Sequence, residues 1–212
     1  MRFYVALVLG MLELGNGIAN ATVTSYLIVP MVGDTLRYVL SNGNRADLEV
    51  ISLKQHNDQL IATIRQTCLA SNGDITNQGT FDVIRTEDAL ALDIPGAGDN
   101  ARLTPLVYFF APARLNDSWL AQQGFFLDTH GLAIRYRIMA RLDAVETVTA
   151  PAGTFSGCHR ISYTSTLDEG KATNRVVNLT VWFKPELGIV RTYSELGGSS
   201  KVTELIDFKV SN

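Results

Sequence analysis

ETVTAPAGTFSGCHRISYTST (146–166), LDEGKATN (167–174) and RVVNLTVWFKPELGIVRTY (175–193) follow one another without a break. They read as strand, Pro-Ala-Gly turn, strand, polar turn, strand, glycine-marked bend and strand. Thr147 to Ala150 and Val176 to Phe183 are rich in Val, Thr and aromatics, which suit a pleated, half-buried surface. Pro151-Ala152-Gly153 breaks any helix and supplies a turn. Asp168 to Lys171 and Pro185 to Gly188 bound the next two strands. A period of two puts Val177, Leu179, Val181 and Phe183 on one face, and Asn178, Thr180 and Trp182 on the other.

The same rhythm extends outward in both directions. Tyr26 to Asp34 is an opening segment that ends in a turn, and Thr35 to Leu40 is a strand with Leu36, Tyr38 and Leu40 on one face. Asn42-Gly43 is a hairpin turn, because Asn-Gly tolerates the positive φ that primed turns need. Ala46 to Leu53 returns, His56-Asn57-Asp58 turns, and Leu60, Ala62, Ile64 and Cys68 line one face of a long strand. Ser71 to Asp74 turns again, before short strands at Thr80 to Arg85 and Leu90 to Ile94. Pro95 to Thr104 reads as loop, Pro105 to Ala111 as an apolar strand, and Pro112 to Gly124 as irregular, with Ser118-Trp119-Leu120 a short helix or the floor of a pocket.

The clearest alternation follows. Ile134, Tyr136, Ile138, Ala140 and Leu142 face one way, and Arg135, Arg137, Met139 and Arg141 the other, which is a strand with one dry and one wet face. Gly197-Gly198 turns into a closing strand with Val202, Ile206, Phe208 and Val210. No long segment has the helical i, i+3, i+4 pattern. Turns recur about every eight to fifteen residues, the spacing of an antiparallel sandwich or open barrel.

The first 21 residues are expected to be a leader rather than fold. Arg2 opens it, Phe3 to Leu12 is an apolar run, and Ala19-Asn20-Ala21 is a small-x-small cleavage site. The run is too short to span a bilayer. Its loss would remove Arg2 and Glu13, taking basic residues from 18 to 17 and acidic ones from 21 to 20, so the net charge stays at −3. That mild acidity argues against a nucleic-acid partner. Residues 22–212 then form a single β-rich domain, periplasmic or secreted.

In an oxidising compartment the pair Cys68 and Cys158 suggests one disulfide; two buried thiols are the alternative. Neither cysteine has a second ligand at metal-site spacing, so no metal and no cofactor is expected. The three histidines, His56, His130 and His159, stand in no recognised catalytic motif, and no enzymatic activity is expected. Arg135, Arg137 and Arg141 either face an anionic ligand or partner, or pair with carboxylates on neighbouring strands. Leu106, Tyr108, Phe109, Phe110, Trp119, Phe125, Phe126 and Trp182 either line a cavity for an apolar ligand or fill the core.

Three places carry a resemblance. They are Pro30, Gly33, Asp34 and Tyr38, with Leu36 where a Trp is usual; Glu146-Thr-Val-Thr-Ala-Pro-Ala-Gly-Thr-Phe155 with Cys158; and Trp182-Phe183-x-Pro185-x-x-Gly188-Ile-Val190-Arg191. Together they resemble a broad group of uncharacterised bacterial exported β-rich proteins. The resemblance implies a secreted or periplasmic β-protein, similar in fold to the half-open barrels that carry lipoproteins across the periplasm, and it carries no catalytic residues.

The expected fold class is all-β: one antiparallel curved sheet, open barrel or sandwich-like meander, with at most one or two short helices. The expected function is a non-enzymatic accessory role, binding an apolar or amphipathic ligand on a concave sheet face through Phe110, Trp119, Trp182, Arg135 and Arg137. Its partner would be lipid or another envelope protein. The alternative is an interaction module working by its surface or its edge strands.

Overall fold

A computed structural model of the chain describes residues 31–86, 89–93, 101–103, 106–110, 113–127, 133–168, 175–184, 187–196 and 199–210. The expected leader lies outside the described residues, as do the turns at 169–174 and 197–198. Thirteen strands are present among the described residues, and no helix. They are β1 (Thr35–Leu40), β2 (Arg45–His56), β3 (Gln59–Leu69), β4 (Ile75–Arg85), β5 (Ala89–Asp93), β6 (Ala101–Leu103), β7 (Leu106–Phe110), β8 (Ser118–Leu127), β9 (Ala133–Ala150), β10 (Gly153–Asp168), β11 (Arg175–Lys184), β12 (Gly188–Leu196) and β13 (Ser199–Lys209).

All thirteen form one antiparallel sheet in the order β6-β8-β9-β10-β11-β12-β13-β1-β2-β3-β4-β5-β7. Most neighbours are consecutive in the chain, joined by short connections such as residues 41–44, 57–58 and 70–74. Gly43 at φ +81° and Gly73 at φ +93° occupy the left-handed region that the hairpins after β1 and β3 require. At the start of β1, the Asp34 carboxylate accepts the Met31 amide at 2.7 Å, and the Gly33 amide reaches the Val50 carbonyl at 2.9 Å. The opening turn is thereby tied to β2.

The sheet curls into a nearly closed barrel that brings β7 beside β8. Register shifts interrupt the pairing of β8 with β9, β9 with β10, β11 with β12, β13 with β1 and β2 with β3. Such bulges bend a strand and increase its twist, which is how a wide sheet closes into a barrel. At the seam, the Trp119 indole N–H of β8 donates to the Val107 carbonyl of β7 at 3.1 Å. Trp119→Phe keeps the ring but leaves that carbonyl without its donor. We expect a loss of about 1–2 kcal/mol and faster amide exchange in β7, measured by urea unfolding and hydrogen exchange. Unchanged exchange in β7 would mean that the seam is held by other contacts.

Inward-facing residues alternate with outward ones on nearly every strand. On β9, Ile134, Tyr136, Ile138, Ala140 and Leu142 are buried, while Arg135, Arg137, Met139 and Arg141 are exposed. Leu36, Tyr38, Leu48, Ile64, Phe81, Leu92, Ile161, Tyr163, Val181, Phe183 and Leu205 complete the same interior, none of them more than 8 % exposed. Each large side chain so buried contributes roughly 1.5–3 kcal/mol. The Tyr38 hydroxyl sits among them and donates to the Ile189 carbonyl at 3.0 Å.

Two expectations are corrected. Ser118-Trp119-Leu120 is strand, the start of β8, and not a short helix. A bulge at Ala121, where Leu120 and Gln122 oppose Met139 and Ile138, breaks the period of two and disguises the strand. Cys68 and Cys158 are both free thiols. They stand on β3 and β10, with five strands between them in the sheet, and each is buried in its own surroundings. The denatured, unreduced protein should therefore take up two alkyl groups, whereas the native protein should take up none. A mass about two hydrogens lower that resists alkylation would restore the bridge.

Candidate functional site

The organising stretch builds a clasp. Arg160 on β10, Trp182 on β11, Arg191 on β12 and Glu204 on β13 are directly opposed in the register, so they form one row across four strands. The row lies on the face away from Val181 and Phe183, as the alternation of β11 demands. The far half of the β9–β10 hairpin folds back across this row. Glu146 of β9 accepts the Trp182 indole N–H at 2.6 Å and pairs with Arg160 at 3.3 Å. Three residues on, the Thr149 carbonyl accepts the Arg191 guanidinium at 2.8 Å. Three further, the Ala152 amide donates to the Leu205 carbonyl of β13 at 3.0 Å. Phe155 then meets Phe208 edge to face, with ring centroids 6.1 Å apart.

The electrostatics of the clasp are closed. Arg191 bonds Glu204 through its Nε at 2.9 Å and through its terminal nitrogen, and lies 6.0 Å over the Trp182 ring. Every charge in the row has an opposite charge beside it. Val148, Ala150 and Cys158 are buried beneath the hairpin. Its role is to hold the hairpin down, and the residues that the sequence presents as two separate motifs are the two halves of one contact. Glu146, Arg160, Arg191 and Glu204 were not among the expected site residues. Their signal was their register beside Trp182.

The expected ligand set does not assemble. Trp119 faces the interior at the seam, opposite Ala140, whereas Trp182 lies under the clasp on the other face. Phe110 ends β7 opposite Ala89, and its side chain lies outside the described residues. Arg135 and Arg137 are on the outer face of β9. Among the described side chains, no ion pair or hydrogen bond joins either of them; Asp168 stands opposite Arg135 in the register, and its side chain lies outside the described ones. Arg141 does pair, with Asp143 at 2.5 Å, and the second oxygen of Asp143 takes the Ser162 hydroxyl.

Beside these arginines the outer face carries Leu120, Phe125 and Met139, all exposed. Leu120 stands opposite Met139, and Phe125 opposite Arg135. The patch is therefore apolar and basic together. Its backbone groups are consumed by pairing, since β9 has β8 on one side and β10 on the other.

Nucleophilic chemistry finds no support in the thiols. Burial pushes the Cys68 thiol up. It pushes Cys158 up to about 11, against a smaller opposing pull from the Lys184 charge. A thiolate is the reactive form, and neither group supplies one near neutral pH. His159 is buried on β10, His56 is exposed at the end of β2, and His130 lies outside the described residues. Among the described residues, no three His, Cys, Asp or Glu side chains gather as metal ligands would.

The fold has solved counterparts. A candidate exported protein of Bacteroides fragilis NCTC 9343 with a YmcC-like fold superposes with a TM-score of 0.62 at 14 % identity, over 87 % of this chain and 99 % of that one. A candidate lipoprotein of Parabacteroides distasonis ATCC 8503 superposes with a TM-score of 0.61 at 16 % identity, over 87 % of this chain and 98 % of that one. At such identities the likeness is one of fold. No protein-family model matches the chain, and no curated protein matches it.

Proposed function

We propose that this chain is an exported, non-enzymatic protein, periplasmic or secreted, that works by contact at its outer surface. The leader pattern at residues 1–21 and the exported and lipoprotein descriptions of the two structural neighbours support the compartment. The observation that carries the mode of action is the contrast between the two faces of β9. The inward face is packed by the chain's own side chains, and the outward face presents Arg135 and Arg137 without partners among the described residues. A ligand held on the concave face has less support, because Trp119 and Trp182 are not on one surface.

A photo-reactive phenylalanine analogue placed at Arg137, or at the exposed Arg65 of β3 as control, tests the reading in intact cells. Position 137 should give discrete cross-linked products and position 65 should not. Equal products from both, or none from position 137, would overturn it.

A further inference from the structure

Building on that reading, we propose that the outer face of β8 and β9 docks on the surface of an anionic phospholipid bilayer. The whole chain carries a net charge of −3, yet this face presents Arg135, Arg137 and Arg141. The described carboxylate beside them is Asp143, already shared between Arg141 and Ser162. Asp168 stands opposite Arg135 in the register, at the end of β10. The outward positions between, Thr164 and Thr166, are uncharged. Three arginines beside two carboxylates leave one net positive charge among these residues, at Arg137, whose register partners Thr166 and Gln123 are uncharged, and on a mildly acidic molecule this orients the face toward a negative surface.

The apolar side chains select the kind of negative surface. Leu120, Phe125 and Met139 are exposed within the arginine field rather than apart from it. An interfacial zone accepts this mixture: guanidinium groups reach lipid phosphates while neighbouring apolar groups enter the acyl boundary. A folded acidic protein would need shape and hydrogen-bonding edges to dock against. Here β9 is paired on both sides, by β8 and β10, and offers no strand edge to a partner chain. A fluid interface needs neither.

The test uses the purified protein and sedimentation with two kinds of vesicle, phosphatidylcholine alone and phosphatidylcholine containing phosphatidylglycerol. Binding should appear only with phosphatidylglycerol and should weaken as salt is raised. Arg135→Ser with Arg137→Ser should reduce it about 30-fold, at roughly fivefold per arginine. Arg65→Ser on β3 should leave it unchanged. Phe125→Ser should weaken binding by a factor that salt does not alter. The arginine variants should keep the wild-type thermal midpoint, since those side chains are exposed, and Phe125→Ser is compared at a temperature where it is still folded. Equal binding to both vesicles, or full binding by the double arginine variant, would overturn the membrane. If vesicles fail while position 137 still cross-links an envelope protein, the surface reading stands and the lipid assignment falls. If both fail, both fall.

Discussion

Phe183→Ala should lower folding stability by about 3–5 kcal/mol, a large part of what a domain of this size possesses. Phe183 is 1 % exposed, on the inward face of β11, among Ile161, Val181 and Ile189. Truncation removes a ring from a packed interior and leaves a cavity in its place. The cost would be small if the barrel enclosed a solvent-filled or lipid-filled cavity, because the ring would then line a surface that another molecule covers. Ile161→Val, a milder deletion in the same layer, should cost about 0.5–1.5 kcal/mol and keep the protein folded enough to measure. Urea unfolding of both variants decides the matter. A Phe183→Ala loss under 1 kcal/mol would mean that the interior is not filled by the chain itself.

The second large effect is expected in the clasp. Glu146→Ala leaves the Trp182 indole N–H and the Arg160 guanidinium without their shared acceptor. Hydrogen bonds to a charged group contribute about 1.5–3 kcal/mol, and the half-exposed position of this glutamate reduces that to about 1–2 kcal/mol. Trp182→Phe removes the same bond from the other side. The two substitutions should therefore be less than additive by about 1 kcal/mol in a double-mutant cycle. Glu146→Ala should also release the end of the hairpin, raising exchange at the Ala152 amide that otherwise bonds Leu205. Strict additivity, with Ala152 still protected, would show that the hairpin is held by the burial of Val148 and Ala150 rather than by the row of charges.

Much of the fold was legible because β-structure writes its period into the residues. The alternation from Ile134 to Leu142 gives both faces of β9 correctly, and Asn42-Gly43 and Asn72-Gly73 mark real hairpins. Closure was not legible. It brings β8 to β7 through a bond from Trp119 to a backbone carbonyl twelve residues earlier, and the edge strand β6 is three residues within a stretch that reads as loop. The site was misplaced for a different reason. Trp182 is large and aromatic, and residue type assigned it to a cavity. Its parity, opposite Val181 and Phe183, already placed it with Asn178 and Thr180 on the other face. Where the hydrophobic scale and the period of two disagree, the period is the stronger constraint, because a strand cannot turn one side chain inward without a bulge. The cysteines were misjudged because two strand cysteines in an exported chain suggest a bridge, whereas sheet order, which sequence does not show, separates them by five strands.

The filled interior and the working outer face come together in a native mass spectrum of the protein purified from its own envelope, with the Arg135→Ser/Arg137→Ser variant beside it. The expected result is the mass of the bare chain for the variant, with any lipid adduct confined to the wild type and lost as salt is raised. A stoichiometric lipid that the variant retains, and that leaves only on denaturation, would place a ligand inside the barrel and refute the surface mode of action.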